Sequence, residues 1–223
     1  MTIFEVVDEC LRAVNGAVSG LGSKWDAEYI DFLLPQVRSE AISESYNGSR
    51  MRAANKTISG DWVQNLDITI PLNNQIAQAK YLRVEVPDVV RINNHTNGAI
   101  FVGDPNDAFN FTQAFTKAEV SDLLARGFGQ GGEIIFLING KYWELYGNKS
   151  LKSFTVSGIF QQPLDVAGFN PYTDKYPIDV QTMSIIKDLF IMKAKAEMAV
   201  VGDLISDDAQ TTEMASLKNN IRA

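Results

Sequence analysis

The stretch Leu151-Lys152-Ser153-Phe154-Thr155-Val156-Ser157-Gly158-Ile159-Phe160-Gln161-Gln162-Pro163, followed by Gly168-Phe169-Asn170-Pro171-Tyr172-Thr173-Asp174-Lys175-Tyr176-Pro177-Ile178, decides the fold of this chain. Its first half reads as a strand over Ser153 to Phe160. Its second half is an aromatic, proline-rich turn. Behind it, Ile178, Met183, Ile185, Ile186, Leu189, Phe190, Met192 and Val200 run at helical spacing, with Gly202 as a stop. Ala194, Ala196 and Ala199 thin the second half of that helix, which suits close packing, and Asp179 is placed to cap it. The whole reads as a rigid elbow between a β-domain and a terminal helix, the build of an assembly subunit.

Upstream of the elbow the spacing predicts strands. Leu66, Ile68 and Ile70 alternate with polar neighbours after Trp62, and Tyr81–Val86, Val89–Ile92 and Gly98–Gly103 are β-rich, the last following an Asn97-Gly98 turn. Glu133–Ile138, Asn139-Gly140 and Lys141–Tyr146 predict a hairpin with a type I′ turn, and Ser153–Phe160 then completes a meander. Between them, Thr116 and Glu119 form a capping box for a short helix that stops at Gly127.

The N-terminal part is helical. Thr2 and Glu5 form a capping box ahead of Ile3, Val6, Val7, Cys10, Leu11 and Val14, with a stop at Asn15-Gly16. A second helix starts at Ser23, carries Trp25, Tyr29, Leu33, Val37 and Ile42 on one face, is kinked or split by Pro35, and ends at Asn47-Gly48. The expected fold is α+β: an N-terminal helical hairpin and linker (1–60), an inserted antiparallel sandwich or barrel-like β-domain (61–162), an elbow and C-terminal helix completing a helical bundle (163–202), and an extended tail (203–223).

Composition narrows the function classes. The 27 acidic and 20 basic residues give a net charge of −7, the wrong sign for a protein that coats nucleic acid. A single cysteine, Cys10, on the apolar side of the first helix, excludes an internal disulfide and a multi-cysteine zinc site. The apolar runs are too short to span a membrane, and the first residues lack the pattern of a secretory signal.

No catalytic constellation stands out. His95 lies in a polar turn with no nucleophile motif for a triad. Gly127-Phe128-Gly129-Gln130-Gly131-Gly132 follows a helix and precedes a strand, the reverse of a phosphate-binding loop, so a flexible turn is expected. Asp104-Pro105-Asn106-Asp107 lacks the ligand spacing of a calcium loop. Arg50, Arg52 and Lys56 read as a solvated face, and Phe109, Phe111 and Phe115 as core or interface. No cofactor, metal or catalysis is expected. The rival reading is a carbohydrate- or peptide-binding β-module with Trp143, Tyr142, Tyr146 or Tyr172 as its platform.

The order of these elements carries a resemblance. Ser153–Pro163, Asp174-Lys175-Tyr176-Pro177-Ile178, Ile185-Ile186-Lys187-Asp188-Leu189, Val90-Arg91-Ile92-Asn93-Asn94 and Gly98–Asp104 resemble the head-to-tail connector (neck ring) proteins of short-tailed, crAss-like bacteriophages. More distantly the chain is similar to tail tubular adaptor proteins. The resemblance implies a virion protein, made in the bacterial cytoplasm, that forms a closed ring of twelve copies on the portal protein or an adjacent neck ring. DNA would pass through its lumen without sequence-specific binding, and no membrane is involved. A closed ring needs a heterologous interface. The residues expected to supply it are Phe160, Pro163, Phe169, Tyr172 and Tyr176 from the elbow, and Leu204, Ile205, Met214, Leu217 and Ile221 from the tail.

Overall fold

The computed structural model describes residues 1–17, 25–52, 58–70, 81–93, 96–103, 111–129, 133–147 and 151–199. The fold is α+β, as expected. Helices α1 (Ile3–Ala17) and α2 (Ala27–Arg52) precede strands β1 (Gln64–Thr69), β2 (Leu82–Glu85), β3 (Arg91–Asn93), β4 (Thr96–Asn97), β5 (Ala99–Gly103) and β6 (Thr112–Ala114). Helix α3 (Lys117–Ala125), strands β7 (Ile134–Asn139), β8 (Tyr142–Gly147) and β9 (Ser153–Gly158), and helix α4 (180–199) follow.

Helices α1, α2 and α4 share one core. Val6, Cys10 and Val14 of α1 meet Ile30, Leu34 and Val37 of α2 and Ile186, Phe190 and Ala194 of α4. Both α1 and α4 begin as their sequences direct. Thr2 and Glu5 exchange capping-box hydrogen bonds, and Asp179 Oδ1 accepts from Thr182 N at 2.7 Å. The two helices run side by side in the same direction: Tyr176 N donates to Met1 O at one end, and Lys187 pairs with Glu9 further along.

Helix α2 departs from expectation in three ways. Its cap is Asp26, whose carboxylate accepts from Tyr29 N at 2.8 Å, rather than Ser23, which lies outside the described residues. It is not split at Pro35, because Leu34, Val37, Ala41 and Ile42 are all buried and the packing outweighs one lost backbone bond. It also continues past Asn47-Gly48 to Arg52. Burial of Ile42 and Tyr46 against Trp62, Val90, Ile92 and Ile159 holds that second half against the β-domain, where Gly48 costs only about 1 kcal/mol. Likewise α1 extends to Ala17, just past its expected stop.

The β-domain stacks two main sheets as a sandwich, as expected, with β3 and β4 paired in a separate two-stranded ribbon, but its last strands do not form a meander. The three-stranded sheet has the order β1-β9-β5 and the four-stranded sheet the order β2-β8-β7-β6. Strand β9 thus pairs with β1 and β5 instead of its neighbour in sequence, β8. One hydrophobic core demands this arrangement: Leu66, Val102, Phe154 and Val156 of the first sheet meet Val84, Phe136, Trp143 and Leu145 of the second. A parallel pair, β6 with β7, is bridged by α3, whose Thr116 cap accepts from Glu119 N at 3.1 Å.

Two turns differ in detail. Asn139 pairs with Tyr142, so the hairpin loop is Gly140-Lys141, and only Gly140 has positive φ (61°). A glycine in the first central position replaces the type I′ pair, the pattern of a type II′ turn. Asn97 belongs to β4 and not to a turn. Gly98 instead sits where three strands converge: a Cβ there would lie 2.7 Å from Ile159 O and 3.1 Å from Val90 O. Only glycine admits that approach.

Candidate functional site: the elbow

Residues 159–179 join the sandwich to α4, and they are held from inside by a residue whose sequence context gave no signal. Arg38, on α2, is completely buried. Its guanidinium donates to Phe160 O (2.6 Å), to Pro177 O (3.1 and 3.0 Å) and to Trp62 O (3.4 Å). It also lies 5.7 Å from the centre of the Tyr176 ring. The last residues of the sandwich, the segment before β1, the end of the elbow and α2 are therefore tied to one planar group with a fixed fork of donors. No carboxylate pairs with it among the described residues. Burial pulls its pKa down to about 10, and it keeps its charge at neutral pH. A second tie joins the same parts: Trp62 Nε1 donates to Thr182 Oγ1 at 3.0 Å, with both groups buried.

The five elbow residues expected at an interface divide sharply. Phe160 and Tyr176 are fully buried and Pro163 is buried too, so none of the three offers a surface to a neighbour. The correction has a physical cause. Phe160 is drawn into the sandwich core and Tyr176 into the bundle core, because an elbow joining two cores must fill the wedge between them. Phe169 is half-buried and touches both cores. Tyr172 alone is open, at 74 % exposure. Asn170 holds its turn, accepting from Tyr172 N at 3.0 Å. The Tyr172 ring stacks on Phe4 of α1 at 5.1 Å, and Phe4 is itself 53 % exposed. Sequence reading missed Phe4, which precedes the first capping acid and sits outside the buried stripe of α1. Leu204, Ile205, Met214, Leu217 and Ile221 lie outside the described residues.

The aromatic platform of the rival reading does not assemble. Trp143 is fully buried, stacked on Phe136 at 5.2 Å within the sandwich core. The face of Tyr142 is covered by the Arg83 guanidinium at 3.9 Å. Tyr146 turns its hydroxyl to Glu144 at 2.7 Å, and Tyr172 is remote in the fold, on the elbow. Glu144 is a second buried charged group that the sequence did not announce. Asn139, Tyr146 and, at 3.8 Å, Lys117 surround it, and the last of these ties the start of α3 to the sheet. Burial, and then the bond to Glu144, push the Tyr146 phenol pKa up.

Cys10 is buried and burial pushes its thiol up to about 12, which makes it inert at neutral pH. Phe111 is half-buried against Phe154, at the mouth of the sandwich, whereas Phe115 is exposed. Gly127 and Gly129 adopt positive φ in the turn after α3. His95, Asp104–Asp107, Phe109, 130–132, Lys56 and the side chains of Arg50 and Arg52 lie outside the described residues. Among the described residues no group of three His, Cys, Asp or Glu is placed to hold a metal, and no helix is long and apolar enough to cross a membrane. No family model matches the chain, and no curated protein matches it.

Proposed function

We propose that this chain is a structural subunit of a bacteriophage neck. In this reading, copies form a closed ring, twelve by the resemblance, between the portal and the tail. The ring extends the DNA conduit without catalysis, as part of the virion. The observation that carries the reading is the elbow. Its interior is locked by Arg38, and its outer surface presents the stacked Phe4–Tyr172 pair to solvent. A joint tied by buried hydrogen bonds, with an aromatic pair left uncovered, suits a subunit that must hold a fixed angle between neighbours. The net charge of −7 suits a conduit that lets DNA slide rather than bind.

Quantitative mass spectrometry of purified virus particles tests the proposal. The expected result is a copy number equal to that of the portal subunit. Absence of the chain from particles overturns the reading and turns attention to ligand screens on the sandwich.

A further inference from the structure

The surface around Phe4 and Tyr172 has a chemical character that selects a partner. Helix α1 and the elbow residues 163–179 together carry six carboxylates, Glu5, Asp8, Glu9, Asp165, Asp174 and Asp179, against Arg12 and Lys175. Arg12 pairs with Asp8, Lys187 of α4 with Glu9 and the N-terminal ammonium with Glu5, which leaves the surface acidic but partly neutralised. Asp8 lies one helical turn beyond Phe4 and is exposed. The carboxylates nearest the exposed aromatic pair along the chain are Glu5, next to Phe4, Asp8, and Asp174, two residues from Tyr172. Within the chain's own sequence, residues 214–223 have the complementary composition. Met214, Leu217 and Ile221 recur at helical spacing, Lys218 and Arg222 follow at i and i+4, and no acidic side chain occurs in the segment. These residues lie outside the described part of the structure, which ends at 199.

We propose that the Phe4–Tyr172 surface is the docking site for residues 214–223 of a neighbouring copy. Met214, Leu217 and Ile221 cover the two rings, while Lys218 and Arg222 face the carboxylates of α1. The proposal rests on the ring reading, because a contact that runs from the tail of one subunit to the elbow of the next is heterologous and propagates around a closed ring. Reach permits it. The fourteen residues from 200 to 213 span roughly 45 Å when extended, more than the length of α4 at roughly 30 Å.

Site-specific cross-linking of the full-length chain tests the docking. One preparation carries Thr173→Cys, at an exposed position beside Tyr172, and a second carries Ser216→Cys, so that both rings and the apolar residues of the tail stay in place. The two are mixed with oxidised glutathione, and products are identified by mass. Cys10, being buried, does not compete. The expected product is the mixed dimer, at several times the yield of either homodimer. Lys218→Glu with Arg222→Glu in the tail preparation is expected to lower that yield at least fivefold, and Asp8→Lys in the elbow preparation to restore part of it. A double variant that closes its bond within one chain at dilution, with no mixed dimer, overturns the proposal in favour of docking in cis. Absence of both products overturns it outright. Failure here, with the chain still present in particles at portal stoichiometry, refutes the docking site alone; absence from particles refutes the neck reading beneath it.

Discussion

Tyr172 and Tyr176 stand four residues apart in one turn and are treated in opposite ways. Tyr172 is 74 % exposed and rests on another exposed ring. Tyr176 is fully buried, with the Arg38 guanidinium beside it and, among the described residues, no hydrogen-bond partner for its hydroxyl. The inner side of the elbow therefore belongs to the stability of the chain, and the outer side is free for contact with other molecules. Substitutions on the two sides should separate cleanly in what they damage.

The largest effect is expected from Arg38→Ala. It strands the carbonyls of Phe160, Pro177 and Trp62, and each buried acceptor left unsatisfied costs about 1–3 kcal/mol. A loss of about 3–5 kcal/mol in urea unfolding is expected. Arg38→Lys should recover little of it, since one ammonium cannot reproduce the planar fork. A loss below about 1 kcal/mol would mean that Arg38 does not hold the elbow.

Next in size is Thr182→Val, which leaves Trp62 Nε1 without its acceptor and should cost about 1–3 kcal/mol by the same measurement. The Trp62 side chain is buried, so an increase in iodide quenching of tryptophan emission in this variant would show that the joint has opened.

Cys10 supplies a pH dependence. Its folded-state pKa of about 12 lies above its ordinary value of 9.0, so between those values the unfolded chain loses its proton while the folded chain keeps it. Stability contributed by the neutral thiol is present below pH 9 and falls as pH rises above it. Comparing urea midpoints at pH 8 and 10.5, Cys10→Ala should show a shallower alkaline loss than the parent. An identical slope would remove Cys10 from the account. The raised Tyr176 phenol acts in the same direction, while Arg38, lowered from 12.5 to about 10, works against both above pH 10.

The smallest effects test the two tyrosines directly. Tyr176→Phe removes a buried hydroxyl with no partner among the described residues, and stability should be unchanged or slightly raised. Tyr172→Ser should shift the unfolding midpoint by less than about 0.5 kcal/mol while weakening assembly, read by native mass spectrometry. A large stability loss in Tyr172→Ser would erase the distinction between the two sides of the elbow.

Much of this fold was legible because its signals are local. The Thr2–Glu5 and Thr116–Glu119 boxes, the Asp179 cap and the alternation of Leu66 and Ile68 each depend on residues within a turn or strand. The misreadings arose where distant packing decides. Pro35 and Gly48 look like helix breakers until their helix is seen clamped by two cores. The pairing of β9 with β1 joins residues about 90 positions apart, and no local pattern encodes it. The site was legible as a segment but not residue by residue. Tyr172 and Tyr176 share one composition of neighbours, and only the wedge between two cores distinguishes them. Arg38 was invisible for the related reason that an arginine on a helix is ordinarily solvated.

The bundle core includes residues from both ends of the described chain, with the sandwich inserted between them. During synthesis, α1 and α2 emerge first, and their apolar stripes must wait for more than a hundred residues before Ile186, Phe190 and Ala194 are made. The sandwich strands are complete by Gly158, ahead of α4. The growing chain therefore carries a finished β-domain beside a half-built bundle until α4 completes the bundle core. An interval with an open helical groove, ended by a single late segment, makes the ribosome-bound chain the stage most exposed to aggregation.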